Sequence, residues 1–270
     1  MNEISRENIS LPKRPSDSHK GDFGRALLIC GSKKYTGASF FSAQAAVNTG
    51  CGLVFLSVPK EMRPIMASKL NEPILIGRRN ISVTPDAELI GCGLGLSRGS
   101  LSLVRRRIFK TLCPLVIDAD AITVISRSGI DISKSPRTLI LTPHEGEFRR
   151  LVPDFDNARR EEFAANFAKQ NGCILVLKGH RTVTASPDGQ IFLNTSGNSG
   201  MAKGGSGDVL AGIITSLVAQ GISPLTASYT GVWLHGTAGD LAAEKYGEYS
   251  MTPTDMLYSL KTVIRAVQNA

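Results

Sequence analysis

No apolar run in the 270-residue chain approaches the ~20 residues needed to cross a bilayer. Residues 1–20 are polar, carry Lys13, Arg14, Asp17 and Lys20, and lack the apolar core of a signal peptide. The expectation is a cytoplasmic protein that does not engage membranes. Cysteine is sparse: Cys30, Cys51, Cys92, Cys113 and Cys173 form no CxxC pair and no metal-ligand spacing. An odd number in apolar surroundings reads as buried, reduced thiols. Aromatics are only 6% of residues, so the net charge of +8 is not built into a stacking surface for bases. The basic residues instead come as doublets and one triplet (Lys33-Lys34, Arg78-Arg79, Arg105-Arg106-Arg107, Arg149-Arg150, Arg159-Arg160). That pattern argues against nucleic acid and suits attraction of small polyanions such as nucleotides. No P-loop ending, dinucleotide GxGxxG, internal repeat, low-complexity tract or linker is found.

What is present centres on residues 198–221, NSGMAKGGSGDVLAGIITSLVAQG. Gly204, Gly205, Ser206 and Gly207 precede Asp208, and Val209, Leu210, Ile213, Ile214, Leu217 and Val218 then recur at the spacing of a helix with one buried face. Gly221 and Pro224 supply the stop. The glycines therefore fall at a helix N-terminus, where unpaired N–H groups and the helix dipole attract an anion such as a phosphate. The same dipole is expected to hold the Asp208 pKa down, keeping a base ready beside an arriving phosphoryl group. The plainer alternative is a glycine-rich turn with an acidic helix cap.

Short apolar runs at residues 26–30, 53–58, 87–90, 115–117, 138–141 and 173–177 alternate with helical stretches near 38–49, 61–69 and 158–170. Residues 183–185 and 190–194 flank a turn and read as a hairpin, and helices follow near 225–246 and 253–267. Residues 1–20 read as an irregular lead-in, and residues 105–107 as the solvated face of a helix. The alternation predicts one α/β domain over residues 1–270 with a mostly parallel central sheet flanked by helices. In such sheets ligands bind beyond the carboxyl ends of the strands. The polar clusters at residues 31–37, 91–95, 118–120, 142–147 and 178–182 all follow strands, so they should converge with the glycine turn on one edge.

Taken singly, each cluster has two readings. Asp118 and Asp120 suit a metal pair or, more simply, helix caps. His144 suits a ligand contact or a structural role, and His235, in the helical stretch GVWLHGTAGD, reads as core. Glu147, three residues after His144, would share its helix face and hold Mg²⁺ through water.

Together, HKGDFGR, GSKKYTGA, GCGLG, IDADAIT, LTPHEGEFRRL, KGHRT, NSGMAKGGSGDVLAGI and LHGTAGD resemble the ribokinase-like NAD(P)H-hydrate dehydratases from about His19 to Asp255. Departures are small: Cys92 stands where proline is usual, Thr123 where asparagine is, and Ser206 where threonine or methionine is common. The resemblance implies a ribokinase-like three-layer fold. It also implies ADP- or ATP-dependent conversion of (S)-NADHX or (S)-NADPHX to NADH or NADPH with Mg²⁺, a lyase activity that repairs the cofactor. It implies that Ala38, Gly95, His144 and Asp208 contact the hydrate, with Asp208 as catalytic base. Lys178, Gly179, His180, Arg181, Thr182 and Gly207 would hold the nucleotide, and Gly204, Gly205, Ser206 and Gly207 would form an anion hole. A homotetramer, a functional link to an epimerase carried elsewhere, and ADP as donor are the remaining expectations. A small-molecule (vitamin or sugar) kinase of the same fold is the alternative.

Overall fold

The computed structural model describes residues 2–9, 11–78, 81–110 and 112–269, so Arg79 of the second basic doublet lies outside the described residues. The elements are β1 (Asn2–Glu3), β2 (Arg25–Ile29), α1 (Thr36–Asn48), β3 (Leu53–Val58), α2 (Arg63–Ala67), β4 (Ile74–Gly77), β5 (Ala87–Ile90), α3 (Arg98–Lys110) and β6 (Leu115–Ile117). They continue with α4 (Asp120–Ser128), β7 (Leu139–Leu141), α5 (Glu145–Leu151), α6 (Arg160–Asn171), β8 (Ile174–Leu177), β9 (Val183–Ala185), β10 (Ile191–Leu193), α7 (Ser206–Ala219), α8 (Pro224–Ser250) and α9 (Pro253–Gln268). All ten strands form one sheet in the order β1-β10-β9-β8-β7-β6-β5-β2-β3-β4. From β4 through β2 and β5 to β8 the pairing is parallel, and β9 and β10 form the expected antiparallel hairpin.

Strand side chains alternate across the pleat, so each strand feeds two cores. Leu28, Leu56, Leu89, Val116, Ile140 and Val176 join one buried cluster with residues of α1, α7 and α9. Leu27, Ile29, Ile90, Ile117, Leu141 and Leu177 join the other, with residues of α3, α4 and α6. Both faces are covered, which is why the strands read as unbroken apolar runs. The result is the expected helix–sheet–helix α/β domain. Among the described residues no helix is long and apolar enough to cross a membrane.

Three expectations change. Asn2–Glu3 is not irregular lead-in but an edge strand, pairing in parallel with Phe192 and Leu193. Two residues are too few to show a period in sequence. The helix after the glycine turn is buried almost all round rather than on one face, because α7 is enclosed by the sheet, α1 and α8. A Cβ on its Gly212 would lie 2.3 Å from the Ser42 carbonyl oxygen, so glycine is required for that approach. Arg105 and Arg106 are exposed as expected, but Arg107 is buried and paired with the fully buried Glu88, which Arg137 also grips at 3.1 Å.

The winding reverses between β2 and β5: the chain goes outward through β3 and β4, then returns to build β5 to β8 on the other side. A crevice opens above the carboxyl ends at such a switch point.

Candidate active site

Backbone geometry shapes the head of α7. Gly205, its N-cap, has φ 105°, and a Cβ there would sit 2.7 Å from the Phe41 ring. The first intrahelical bond is Val209 N–H to the Gly205 carbonyl, while Ser206 N–H turns back to the Lys203 carbonyl at 3.2 Å. The amides of Gly205, Gly207 and Asp208 are left without an intrahelical acceptor and form the anion-binding end. Ser206, expected in the anion hole, is buried, and its Oγ lies 3.2 Å from His235 Nε2.

His235 reaches this turn from α8. Its Nε2 lies 2.9 Å from the Ser206 carbonyl oxygen, and burial pulls its pKa down to about 4, so the imidazole is neutral. A neutral ring donating to that carbonyl fixes the turn without adding charge to the site. It belongs to the interior, as expected, yet it braces the glycine turn, a contact not visible in its helical sequence.

Asp208 contradicts the expectation of a depressed pKa. Burial, and then the neighbouring Asp118 carboxylate, raise it from 3.8 to about 7, outweighing the Cys92 thiol and the Lys178 ammonium that favour the charged form. Removal from water costs a carboxylate more than the first-turn dipole returns. A carboxyl titrating near neutral pH is one that can accept and return a proton there.

Beneath the turn, Asp118 follows β6 and is buried; its Oδ1 accepts from Lys178 Nζ and from Thr142 Oγ1, both at 2.8 Å. Cys92 Sγ lies 3.6 Å from Asp118 Oδ2, its thiol pushed well up by a hydrogen bond with Cys30 and by burial. Burial works against the Lys178 ammonium, but the Asp118 and Glu147 carboxylates more than offset it, so its pKa is raised and the cation persists. A Cβ on Gly207 would lie 3.1 Å from Lys178 Nζ, which places this cation against the first turn of α7. The expectation of helix caps fails for both aspartates: Asp118 anchors Lys178, and Asp120 accepts the Gly95 N–H at 2.7 Å across the crevice. The N-cap of α4 is Ala119, a non-glycine residue held at φ 50°. The thiol reading holds fully for Cys30, Cys92 and Cys173; all five cysteines are free, and Cys51 and Cys113 are partly exposed.

His144 is the N-cap of α5. Its Nδ1 accepts from the N–H groups of Gly146 at 3.0 Å and Glu147 at 3.3 Å, which leaves the proton on Nε2. Glu147 is buried, and its Oε2 accepts the His144 N–H at 2.9 Å, completing a capping box. His144 and Lys178 pair as a parallel bridge, so the loop after β7 and the turn of Lys178, Gly179, His180, Arg181 and Thr182 lie side by side. Arg160, which the sequence showed only as part of a charged helix, ties that turn down through the His180 carbonyl at 2.9 Å and the Leu177 carbonyl at 3.2 Å.

Two cavities open over the crevice. The first, about 520 Å³, is walled by Lys34, Tyr35, Ala38, Asp120, Gly204 and Asp208 among others. The second, about 750 Å³, shares Lys34 and continues past Gly95. The structure thus gathers Ala38, Gly204, Gly205 and Asp208 around one space and puts Gly95 on the adjoining wall. His144 lines neither cavity and joins the Lys178 side instead. The arrangement combines a turn with unpaired amides, a carboxyl poised near neutrality and a half-buried cation.

Residues 26–262 match the family profile described as NAD(P)H-hydrate dehydratase. The chain is 38% identical to a bifunctional NAD(P)H-hydrate repair enzyme of Moorella thermoacetica over 96% of this chain and 52% of the relative. It is 37% identical to an ADP-dependent (S)-NAD(P)H-hydrate dehydratase of Neisseria meningitidis over 87% of this chain and 82% of the relative. It superposes on the crystal structure of an ADP/ATP-dependent NAD(P)H-hydrate dehydratase from Bacillus subtilis, co-crystallized with ATP/Mg²⁺, with TM-score 0.89 and 30% identity, covering 97% of both chains. The chain spans about half the length of the bifunctional relatives, 52% and 54% of two of them.

Proposed function

The chain belongs to the NAD(P)H-hydrate dehydratase family, and on that premise we propose that it converts (S)-NADHX and (S)-NADPHX to NADH and NADPH with ADP as phosphoryl donor. The observation that carries this reading is Asp208. It is a carboxyl poised at about 7, on the wall of an open cavity, at the head of an anion-binding turn.

The hydrate bears a hydroxyl on the ring carbon beside the nitrogen, and hydroxide is a poor leaving group. Asp208 takes the hydroxyl proton as its oxygen bonds to the transferred phosphoryl group and the donor's bridging oxygen departs with its electron pair. The amides of Gly205, Gly207 and Asp208, with the Lys178 ammonium, stabilise charge on the transferring group. The ring nitrogen's lone pair then expels inorganic phosphate, and loss of a proton from the adjacent ring carbon restores the dihydronicotinamide. Ala38 and Gly95 shape the hydrate's berth. The donor lies along Lys178, Gly179, His180, Arg181 and Thr182, with His144 at the junction.

Hard carboxylate oxygens stand beside that turn: Glu145 Oε1, 3.5 Å from Arg160, would lie 3.1 Å from a Cβ on Gly179, and Glu147 Oε1, outside the capping bond, lies 3.5 Å from His144 Nε2. Those donors fit Mg²⁺ held through water beside nucleotide phosphates. There it would supply charge neutralisation on the donor. A cytoplasmic homotetramer, fed by an epimerase that interconverts the two hydrate epimers, completes the proposal.

The test uses purified protein with hydrated NADH, Mg²⁺ and either ADP or ATP, followed by near-UV absorbance. Nucleotide-dependent return of reduced nicotinamide is expected, faster with ADP. Nucleotide consumption with a stable phosphorylated product and no NADH would replace this reading with a kinase. A second expectation concerns pH: kcat/KM rises as Asp208 ionises and levels off above about pH 7. A flat profile between pH 5.5 and 8 would remove Asp208 as the base.

A further inference from the structure

The second cavity extends the crevice in one direction only. The donor turn follows β8 and the reaction centre lies at the ends of β6 and β5, whereas the second cavity starts at the loop after β5 and its other walls come from the loops after β2, β3 and β4 and from α3. A ligand entering it from the reaction centre therefore moves away from the nucleotide donor. From β5 to β4 is three strand spacings, about 14 Å, the scale of a dinucleotide rather than of a nicotinamide ring.

The chemistry of the walls is one-sided. Lys33, Lys34, Arg78 and Arg106 line the cavity, and no carboxylate does among the described residues. Three basic clusters far apart in sequence converge here, though nothing in the spacing of residues 33–34, 78 and 106 foretold it. Arg78 is held by the Cys30 carbonyl at 3.0 Å and by the Gly31 carbonyl, and its Nε is buried without a partner. A guanidinium paired only with carbonyls gains strongly from an anion. Ser97, Gly99 and Ser100, at the N-terminal end of α3, line the same wall, with the Ser100 N–H already donating to Ser97 Oγ at 3.1 Å.

We propose, resting on the dehydratase reading, that this cavity binds the adenosine half of the hydrated dinucleotide and that Lys33, Arg78 and Arg106 read a 2′-phosphate, making the phosphorylated hydrate the preferred substrate. Lys34, shared by both cavities, is placed for the linking pyrophosphate. A pyrophosphate bridge carries two negative charges, and four cations leave two in excess. A 2′-phosphate supplies about two more negative charges at neutral pH. The unphosphorylated dinucleotide would leave that excess unmatched.

The test measures kcat/KM for hydrated NADPH and hydrated NADH, and binding of NADPH and NADH by nicotinamide fluorescence, in the wild type, Arg106→Ala and Lys33→Ala. Both substituted residues are exposed, so folding is not at risk. Wild type is expected to favour the phosphorylated form more than tenfold in both readouts, and each variant to lower that ratio by about fivefold to tenfold. If neither hydrate is repaired yet NADPH binds more tightly than NADH and the variants erase the difference, the dehydratase reading falls while the cavity assignment stands. Repair of both hydrates with equal kcat/KM, or a preference unmoved by either variant, would overturn the assignment.

Discussion

Asp208→Asn is expected to lower kcat about a hundredfold to ten-thousandfold, the usual loss on removing a general base, and at the same time to raise the melting temperature at pH 8. The two effects share one cause. Folding moves the carboxyl from 3.8 to about 7, mainly by burying it. Below the unfolded value both states hold the proton and the penalty is absent; it grows as pH rises and is complete once the folded carboxyl ionises above about 7. Each pKa unit is about 1.4 kcal/mol; water in the open cavity reduces the total, leaving a gain on the order of 2 kcal/mol for the neutral amide. That corresponds to a rise of about 4 °C or more. The rise should shrink sharply by pH 4, where Asp208 is protonated in the folded state and only about half ionised in the unfolded one. Thermal scans at pH 4 and pH 8 beside single-turnover rates check both halves. A variant that keeps its rate, or one less stable at both pH values, would show that Asp208 is not the strained base.

The second large effect is expected at Lys178. Its ammonium touches Asp118 at 2.8 Å and lies against the first turn of α7. Lys178→Met should lower kcat about a hundredfold to a thousandfold through lost stabilisation of the transferring charge. It also leaves the buried Asp118 carboxylate with one fewer partner, so some stability is lost. The distinguishing readout is the pH profile. Lys178 favours the ionised form of Asp208, so its removal moves the rising limb to higher pH. Lys178→Arg, which keeps the charge, should return the limb toward the wild-type position even where geometry limits the rate. A rise in KM for nucleotide with kcat and the pH limb unmoved would reduce Lys178 to a nucleotide anchor.

The strand–helix alternation, the glycine turn before α7 and the convergence of post-strand loops were legible because each rests on local chemistry: apolar runs, glycine dihedrals, and the rule that parallel sheets bind at their carboxyl ends. Asn2–Glu3 was not, because a two-residue strand exists only through its partner. Arg107 was not, because its burial depends on Glu88, nineteen residues earlier on β5. The Asp208 pKa was misjudged for a related reason. The dipole of its own helix is visible in sequence, whereas the desolvation and the Asp118 carboxylate that outweigh it arrive from elsewhere in the fold. Asp120 read as a cap and proved to hold Gly95, because the glycine loop after β5 folds across to it. Arg160 looked like one charge in a charged helix until its guanidinium was seen holding the Lys178 turn.

The central claim is that the hydrate's hydroxyl is phosphorylated before it leaves. It is tested most directly with hydrated NADH whose hydroxyl carries a heavy oxygen isotope, turned over with ADP and Mg²⁺. If Asp208 delivers that hydroxyl to the phosphoryl group, the label appears in inorganic phosphate, one atom for each NADH formed. Label released into water with unlabelled phosphate would mean that nucleotide cleavage and dehydration are separate events, and the mechanism built on Asp208 and the glycine turn would be wrong.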